Sequence, residues 1–238
     1  MITQPIQTIS LSNLAFAFIP VAVVLFILFK WSLDIRRAIH ALVRMLVQLL
    51  LIGYVLNYIF ADNNSLMIVS ILLMMVFFSS WIALSNIKDR RLPLLKSTII
   101  SIALPGSFTL WLITQGVLEV QPWYHAQTII PLGGMIFANC MNSVSLCGER
   151  FYAEFERDND YLKARKMAFQ ASIIPNVNAL FAVGVVSLPG MMTGQILSGI
   201  SPFIAARYQI MVMCMIFASA GMASACFLLL QRRVISSP

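Results

Sequence analysis

The chain has 238 residues, of which 60% are hydrophobic and only 11% charged, with a mean hydropathy of +0.86. A soluble domain carries about a quarter charged residues, so this composition excludes one and leaves no length for a separate soluble enzyme domain. The net charge of +7 therefore reads as loop charge of a membrane protein, not as a nucleic-acid surface.

Apolar runs between charges predict an all-α, polytopic membrane bundle of seven spans: 11–31, 38–60, 65–87, 97–118, 126–147, 172–187 and 208–230. Each approaches the roughly 20 residues that cross a bilayer. The first run has no Lys or Arg before it and Lys30 after it, so it is expected to be an anchor with its N-terminus outside rather than a cleaved leader. Lys30, Arg36, Arg37 and Arg44 surround the first loop, and Lys88, Arg90, Arg91 and Lys96 the third. Arg150, Arg157, Lys163, Arg165 and Lys166 lie in the fifth, and Arg232 and Arg233 at the C-terminus. The intervening loops carry Asp62, Glu119 and His125. All basic residues but Arg207 thus share one side, which the positive-inside rule makes cytoplasmic.

In the second span Arg44 and Gln48 are four apart and share a face. Arg44 either snorkels to the interface or serves a pathway. The fourth span holds Pro105-Gly106, a kink or a hinge. The fifth, "IIPLGGMIFANCMNSVSLCGERFY", has Gly133, Gly134 and Ala138 for close helix approach, and Asn139 and Asn142, three apart, on one face with Ser143 beside Asn142. Buried amides at that depth either tie helices together or line a polar path. Asn176 and Asn178, after Pro175, pose the same alternatives.

The cytoplasmic segment 149–170 spaces Phe151, Phe155, Leu162 and Phe169 by four, seven and seven. That spacing suggests an apolar helical stripe, lying on the membrane or docking a soluble partner. Asp158-Asn159-Asp160 is a break, with Asp160 as a helix cap. After the sixth span, "SLPGMMTGQILSG" predicts that Pro189 opens a short broken or re-entrant helix. Its Gly190, Gly194 and Ser198 are expected to pack against another helix, with Gln195 facing a polar partner or the path. A full extra span through 188–206 would hold Pro189, Pro202 and three glycines and would move Arg232 and Arg233 outside.

Chemistry is sparse. No Asp or Glu lies inside a predicted span, and HExxH, GxSxG, CxxC and P-loop motifs are missing. No catalytic residue and no cofactor is expected in this chain. The fourteen methionines, "MVMCM" among them, suggest either a soft-metal track or irregular apolar filling. Met211 and Met215 share a face, whereas Met213 does not. The four cysteines sit in apolar runs and imply no disulfide framework.

The segments "RMLVQLLLIGYVLNYIF", "GGMIFANCMNSVSL", "IIPNVNALFAVGVVSLPGMMTGQILSG" and "RYQIMVM" resemble the FetB-type ABC transporter permeases, a family with plant aluminium-tolerance relatives. The resemblance runs from about residue 40 to 215. It implies an inner-membrane export permease, of iron or another metal in bacteria and of nucleotide-sugars in plants. It also implies a separately encoded ATP-binding subunit and a pair of permease copies. The metal itself is not legible, because hard oxygen ligands are missing from the spans. The stretch "AEFERDNDYLKARKMAFQASII" reaches Pro175 by a shorter route than the family pattern, which touches the expected coupling segment. An ATP-independent channel or carrier, and a non-transporting scaffold, are the rival readings.

Overall fold

The computed structural model describes residues 10–61, 64–87 and 91–235, so Asp62, Lys88 and Arg90 of the loop charges lie outside the described residues. The described chain is built from helices and their connections. Six helices are long and apolar enough to cross a membrane. The chain divides into two compact units, Met1–Asp62 and Asn63–Pro238.

The first unit contains α1 (Leu11–Phe16), α2 (Phe18–Lys30) and α3 (Ile35–Ala61). Ser10 caps α1 by accepting the Asn13 amide at 3.2 Å. A proline ring clashes with the carbonyl four residues back, and α1 accordingly ends at Phe16, four before Pro20. Asp34 accepts the Arg37 amide at 3.1 Å and so starts α3.

The second unit contains α4 (Ser65–Ala83), α5 (Arg91–Trp111), α6 (Ala126–Asp158), α7 (Tyr161–Ala182), α8 (Gly190–Leu197) and α9 (Pro202–Ile235). A π-helical turn, Leu112–Val117, prolongs α5. Within this unit α6 is central, and its contacts fix the directions of α4, α5, α7 and α9. A Cβ at Gly133 would meet Leu72 and one at Gly148 would meet Ile87, so α4 runs parallel to α6. Gly106 faces Phe137 and Leu110 faces Gly133, so α5 is antiparallel. Asn176 donates to Ser143 at 3.1 Å across the α6–α7 hairpin, which is antiparallel too. Cys147 contacts the Ser224 carbonyl and Tyr152 bonds Gln231, so α9 is parallel to α6.

That last relation settles the ambiguous stretch. Between two parallel helices the chain returns once, so α7 and α8 together make a single crossing, and a further span through 188–206 is excluded. The expected span to Ser187 is corrected: α7 stops at Ala182. By its pairing with α6, Ala182 lies level with about residue 137, roughly 16–18 Å from the outer end at 1.5 Å per residue. The outer part of the crossing is the loop from 183 to 189 followed by α8. Gly184, at φ +82°, permits a tight local turn in which the amides of Val185, Val186 and Ser187 all bond the Ala182 carbonyl, and Val183 bridges Ser187 in parallel, so the chain keeps its direction. Pro189 then opens α8, as its fixed φ favours.

The inner ends also differ from a surface helix. At 33 residues α6 is about 50 Å long, against a hydrocarbon core of about 30 Å, so it overreaches a bilayer, and the basic residues of 149–170 assign the excess to the expected cytoplasmic end. The segment 149–170 is therefore the extended tip of the α6–α7 hairpin. Asn159, left-handed at φ 52°, closes α6, and Asp160 caps α7 by accepting the Leu162 and Lys163 amides.

The arrangement predicts a labelling pattern. Single cysteines at Trp123 and Ser201 both react with an impermeant maleimide in intact cells, and one at Asn159 reacts only after permeabilisation. Opposite exposure of 123 and 201 would contradict the parallel α6 and α9.

Candidate functional site

At the base of the second unit, side-chain bonds join the ends of α6 and α7 to α9. Phe151 is fully buried, stacked on Phe155 at 5.8 Å and edge-on to Tyr161 at 5.9 Å. Tyr152 donates to Gln231 Oε1 at 2.7 Å, and Tyr161 donates to the Leu228 carbonyl at 2.9 Å. These two phenols join α6 and α7 to α9. Glu154, only 4% exposed, is paired with Arg150 at 2.7 Å and Arg157 at 3.0 Å. A buried carboxylate is tolerated only with such partners.

This base corrects the expected Phe151/Phe155/Leu162/Phe169 stripe. The chain reverses at Asn159–Asp160, so spacing counted across that point does not define one face. Phe151 belongs to the core, and Phe155 is half-buried on it. Leu162 and Phe169 instead border a groove with Leu228 and Leu229 of α9, rimmed by Arg165 and Lys166. Leu162 is 62% and Leu229 59% exposed.

The amide positions separate by role. Asn139 turns back on its own helix, donating to the Met135 carbonyl at 2.8 Å. Ser143 and Asn176 are brought together as an α6–α7 tie. Asn142 and Asn178 face outward, as do Arg44 and Gln48 on α3. The buried hydroxyls Ser80, Thr98, Thr109 and Thr114 each donate to a carbonyl four residues back, which satisfies them locally without marking a path. Among the described residues, no group of three or more His, Cys, Asp or Glu is placed to hold a metal ion.

At the outer end, α8 reverses the expectation placed on it. Nothing lies within 4 Å of a Cβ at Gly190 or Gly194, and Ser198 donates to the Gly194 carbonyl of its own helix. The small-residue stripe faces out, because α8 turns its larger side inward. Met191 borders a hollow shared with Met135, Tyr208 and Met211. Gln195 Oε1 is buried without a hydrogen-bond partner. Glycines do allow close approach elsewhere: a Cβ at Gly106 would sit 2.7 Å from Phe137, and one at Gly133 2.9 Å from Leu72.

Sequence reasoning missed Tyr152, Tyr161 and Gln231, because nothing in their spacing relates residues nearly eighty positions apart. The available signal was a lone amide, Gln231, closing the apolar last span.

Parallel and antiparallel apolar helices with buried, locally satisfied polar groups and a charged cytoplasmic base define an integral membrane protein of the polytopic helical class. The chain belongs to UPF0014, described as an uncharacterised protein family, which matches residues 11–235. It is 34% identical over 244 residues to the "Probable iron export permease protein FetB" of Escherichia coli, covering 93% of this chain and 91% of that one. A Synechocystis protein, "UPF0014 membrane protein slr1647", is 32% identical over 188 residues and 73% of each chain. "Protein ALUMINUM SENSITIVE 3" of Arabidopsis thaliana is 28% identical over 223 residues, 86% of this chain and 80% of its own. No solved structure matches. The named relatives thus include membrane proteins, one of them a probable permease.

The glycine environments make a paired prediction. Gly106→Val overpacks Phe137 and lowers stability by about 1–3 kcal/mol, read as a lower melting temperature of the purified chain in detergent. In the same measurement on monomeric protein, Gly190→Ala leaves melting within a degree or two, the ordinary range for a surface change. Equal losses at both positions would contradict the outward stripe.

Proposed function

We propose that the chain is the membrane-spanning permease subunit of an ABC-type exporter, driven by a separately encoded ATP-binding subunit. In this reading both units serve one permease domain, two copies assemble, and the chain itself hydrolyses nothing and needs no cofactor. The cargo is iron or another metal, a reading supported by the name of the Escherichia coli relative rather than by any ligand set.

The observation that carries the coupling is the α7–α9 groove. It is a cavity of about 600 Å³ whose walls, Leu162, Phe169, Leu228 and Leu229, are apolar. It sits where the inner end of the predicted span 208–230 meets the charged segment 149–170, and exposed large aliphatic side chains beside charged ones there favour a contact surface. Arg165 and Lys166 on its rim favour an acidic, amphipathic partner. The groove shares α7 and α9 with the phenol bonds of the base, so a subunit seated there is joined directly to the bundle. The hairpin reversal, which removes the expected four-residue stripe, leaves Leu162 and Phe169 in this role and withdraws Phe151 and Phe155 from it.

Replacing Leu162 and Leu229 together by alanine tests the assignment. Both side chains are mostly exposed, so membrane yield stays at the wild-type level. Loss of two interface anchors costs upwards of about 1 kcal/mol each, so co-purification with the ATP-binding subunit and ATP-dependent metal efflux from vesicles fall by roughly tenfold or more. Undiminished association and efflux in the double variant would remove the groove from the mechanism.

A further inference from the structure

Met135, Met191 and Met211 come from three different helices and border one hollow of about 420 Å³. Methionine ordinarily fills irregular apolar space. Here three of them line space that they do not fill, and Gln127, Thr128 and Tyr208 make the rest of the wall partly polar. Helical spacing turns the side chains toward it. Met135 follows Pro131 by four residues on α6, and Met211 follows Tyr208 by three on α9, so each shares its face with another wall residue. The bonds that pair Cys147 with Ser224 and Tyr152 with Gln231 put Met135 within a turn of Met211 along these parallel helices. Met191 closes the third side from the first turn of α8.

A second observation comes from α8 itself. One turn after Met191 and on the same face, Gln195 keeps its Oε1 buried without a hydrogen-bond partner. A buried acceptor in that state costs free energy, which a positively charged occupant beside it would recover.

The chemistry of the wall narrows the occupant. It carries thioether sulfur and neutral oxygen groups, and no carboxylate, imidazole or thiol. Such a set is soft and uncharged. Taking an ion out of water costs more the higher its charge, so an uncharged set accepts a monovalent ion more readily than a divalent one. Thioethers select Cu(I), whereas iron and zinc sites draw on imidazole, thiolate or carboxylate.

We infer that the hollow is a binding site for a soft monovalent cation, Cu(I) or Ag(I), held by the thioethers of Met135, Met191 and Met211. The Gln195 oxygen, one turn from Met191, supports the charge. The site goes beyond the exporter reading and does not rest on it, since binding is independent of coupling to an ATPase.

Silver ion, which needs no reductant, is the probe. The full-length chain, with Cys214→Ala and Cys226→Ala removing the thiols that are not buried, is dialysed in detergent against Ag⁺, and retained silver is measured by elemental analysis. One ion is held per chain, and excess Zn²⁺ does not displace it. Met135→Leu, Met191→Leu and Met211→Leu conserve volume, so melting stays near that of the parent chain. Each nevertheless weakens silver binding by about tenfold or more, since even outer-shell partners of a metal cost that much. Met213→Leu, outside the wall of the hollow, leaves binding unchanged. Cu(I) loaded under reducing conditions gives an X-ray absorption spectrum with a sulfur shell that diminishes in Met211→Leu. Failure to retain silver, displacement by Zn²⁺, or undiminished binding in Met135→Leu and Met211→Leu overturns the proposal. An equal loss in Met213→Leu does the same. Silver held at this site by a chain that shows no ATP-dependent efflux would sink the exporter reading alone, and efflux without silver binding would sink only this site.

Discussion

Every polar group in this chain must find its partner inside the chain or at a protein or water boundary, because hydrocarbon supplies none. That single constraint accounts for the helical architecture of the described residues and for most of its detail. Helices satisfy the backbone internally. The buried hydroxyls of Ser80, Thr98 and Thr114 lean back on carbonyls of their own helix, which lets them sit in apolar packing at little cost. Where a side chain is too long or too polar for that solution, it reaches across, as Asn176 does to Ser143 and Tyr152 to Gln231.

The same constraint explains how much was legible in the sequence. Hydropathy runs expose six of the seven expected passes as long apolar helices among the described residues, because a bilayer imposes a length on each, whereas the expected sixth pass is divided between α7 and α8. Asp160 was legible as a cap because capping is local: an aspartate accepts amides two and three residues ahead. The end of the sixth pass was not. Residues up to Ser187 are apolar, and hydropathy does not register that Gly184 adopts a left-handed conformation and that a local turn ends the helix at Ala182.

The misplaced stripes have a common cause. Phe151, Phe155, Leu162 and Phe169 fit a helical period only if the helix continues through Asn159, where it instead stops. The glycines of α8 do share a face, and the spacing argument was right that far. Which way that face turns depends on the larger residues opposite, Met191 among them, and on the hollow beside Tyr208 and Met211. Periodicity defines faces; tertiary packing decides which of them is inside. The amides of α6 illustrate the same limit, since Asn139, Asn142 and Ser143 look equivalent in sequence and end as a self-bonded, an outward and a bridging group.

The phenol bonds at the cytoplasmic base have a mechanical consequence. They pin three helix ends within two turns of one another, around a buried carboxylate held by two arginines. At the opposite end the corresponding pass is split and spans its depth with a loop and an eight-residue helix. Stiffness is thus graded along the membrane normal, high at the cytosolic end and low at the outer one. A displacement applied at the bonded end would therefore be taken up first at the split one, where fewer side-chain bonds oppose it.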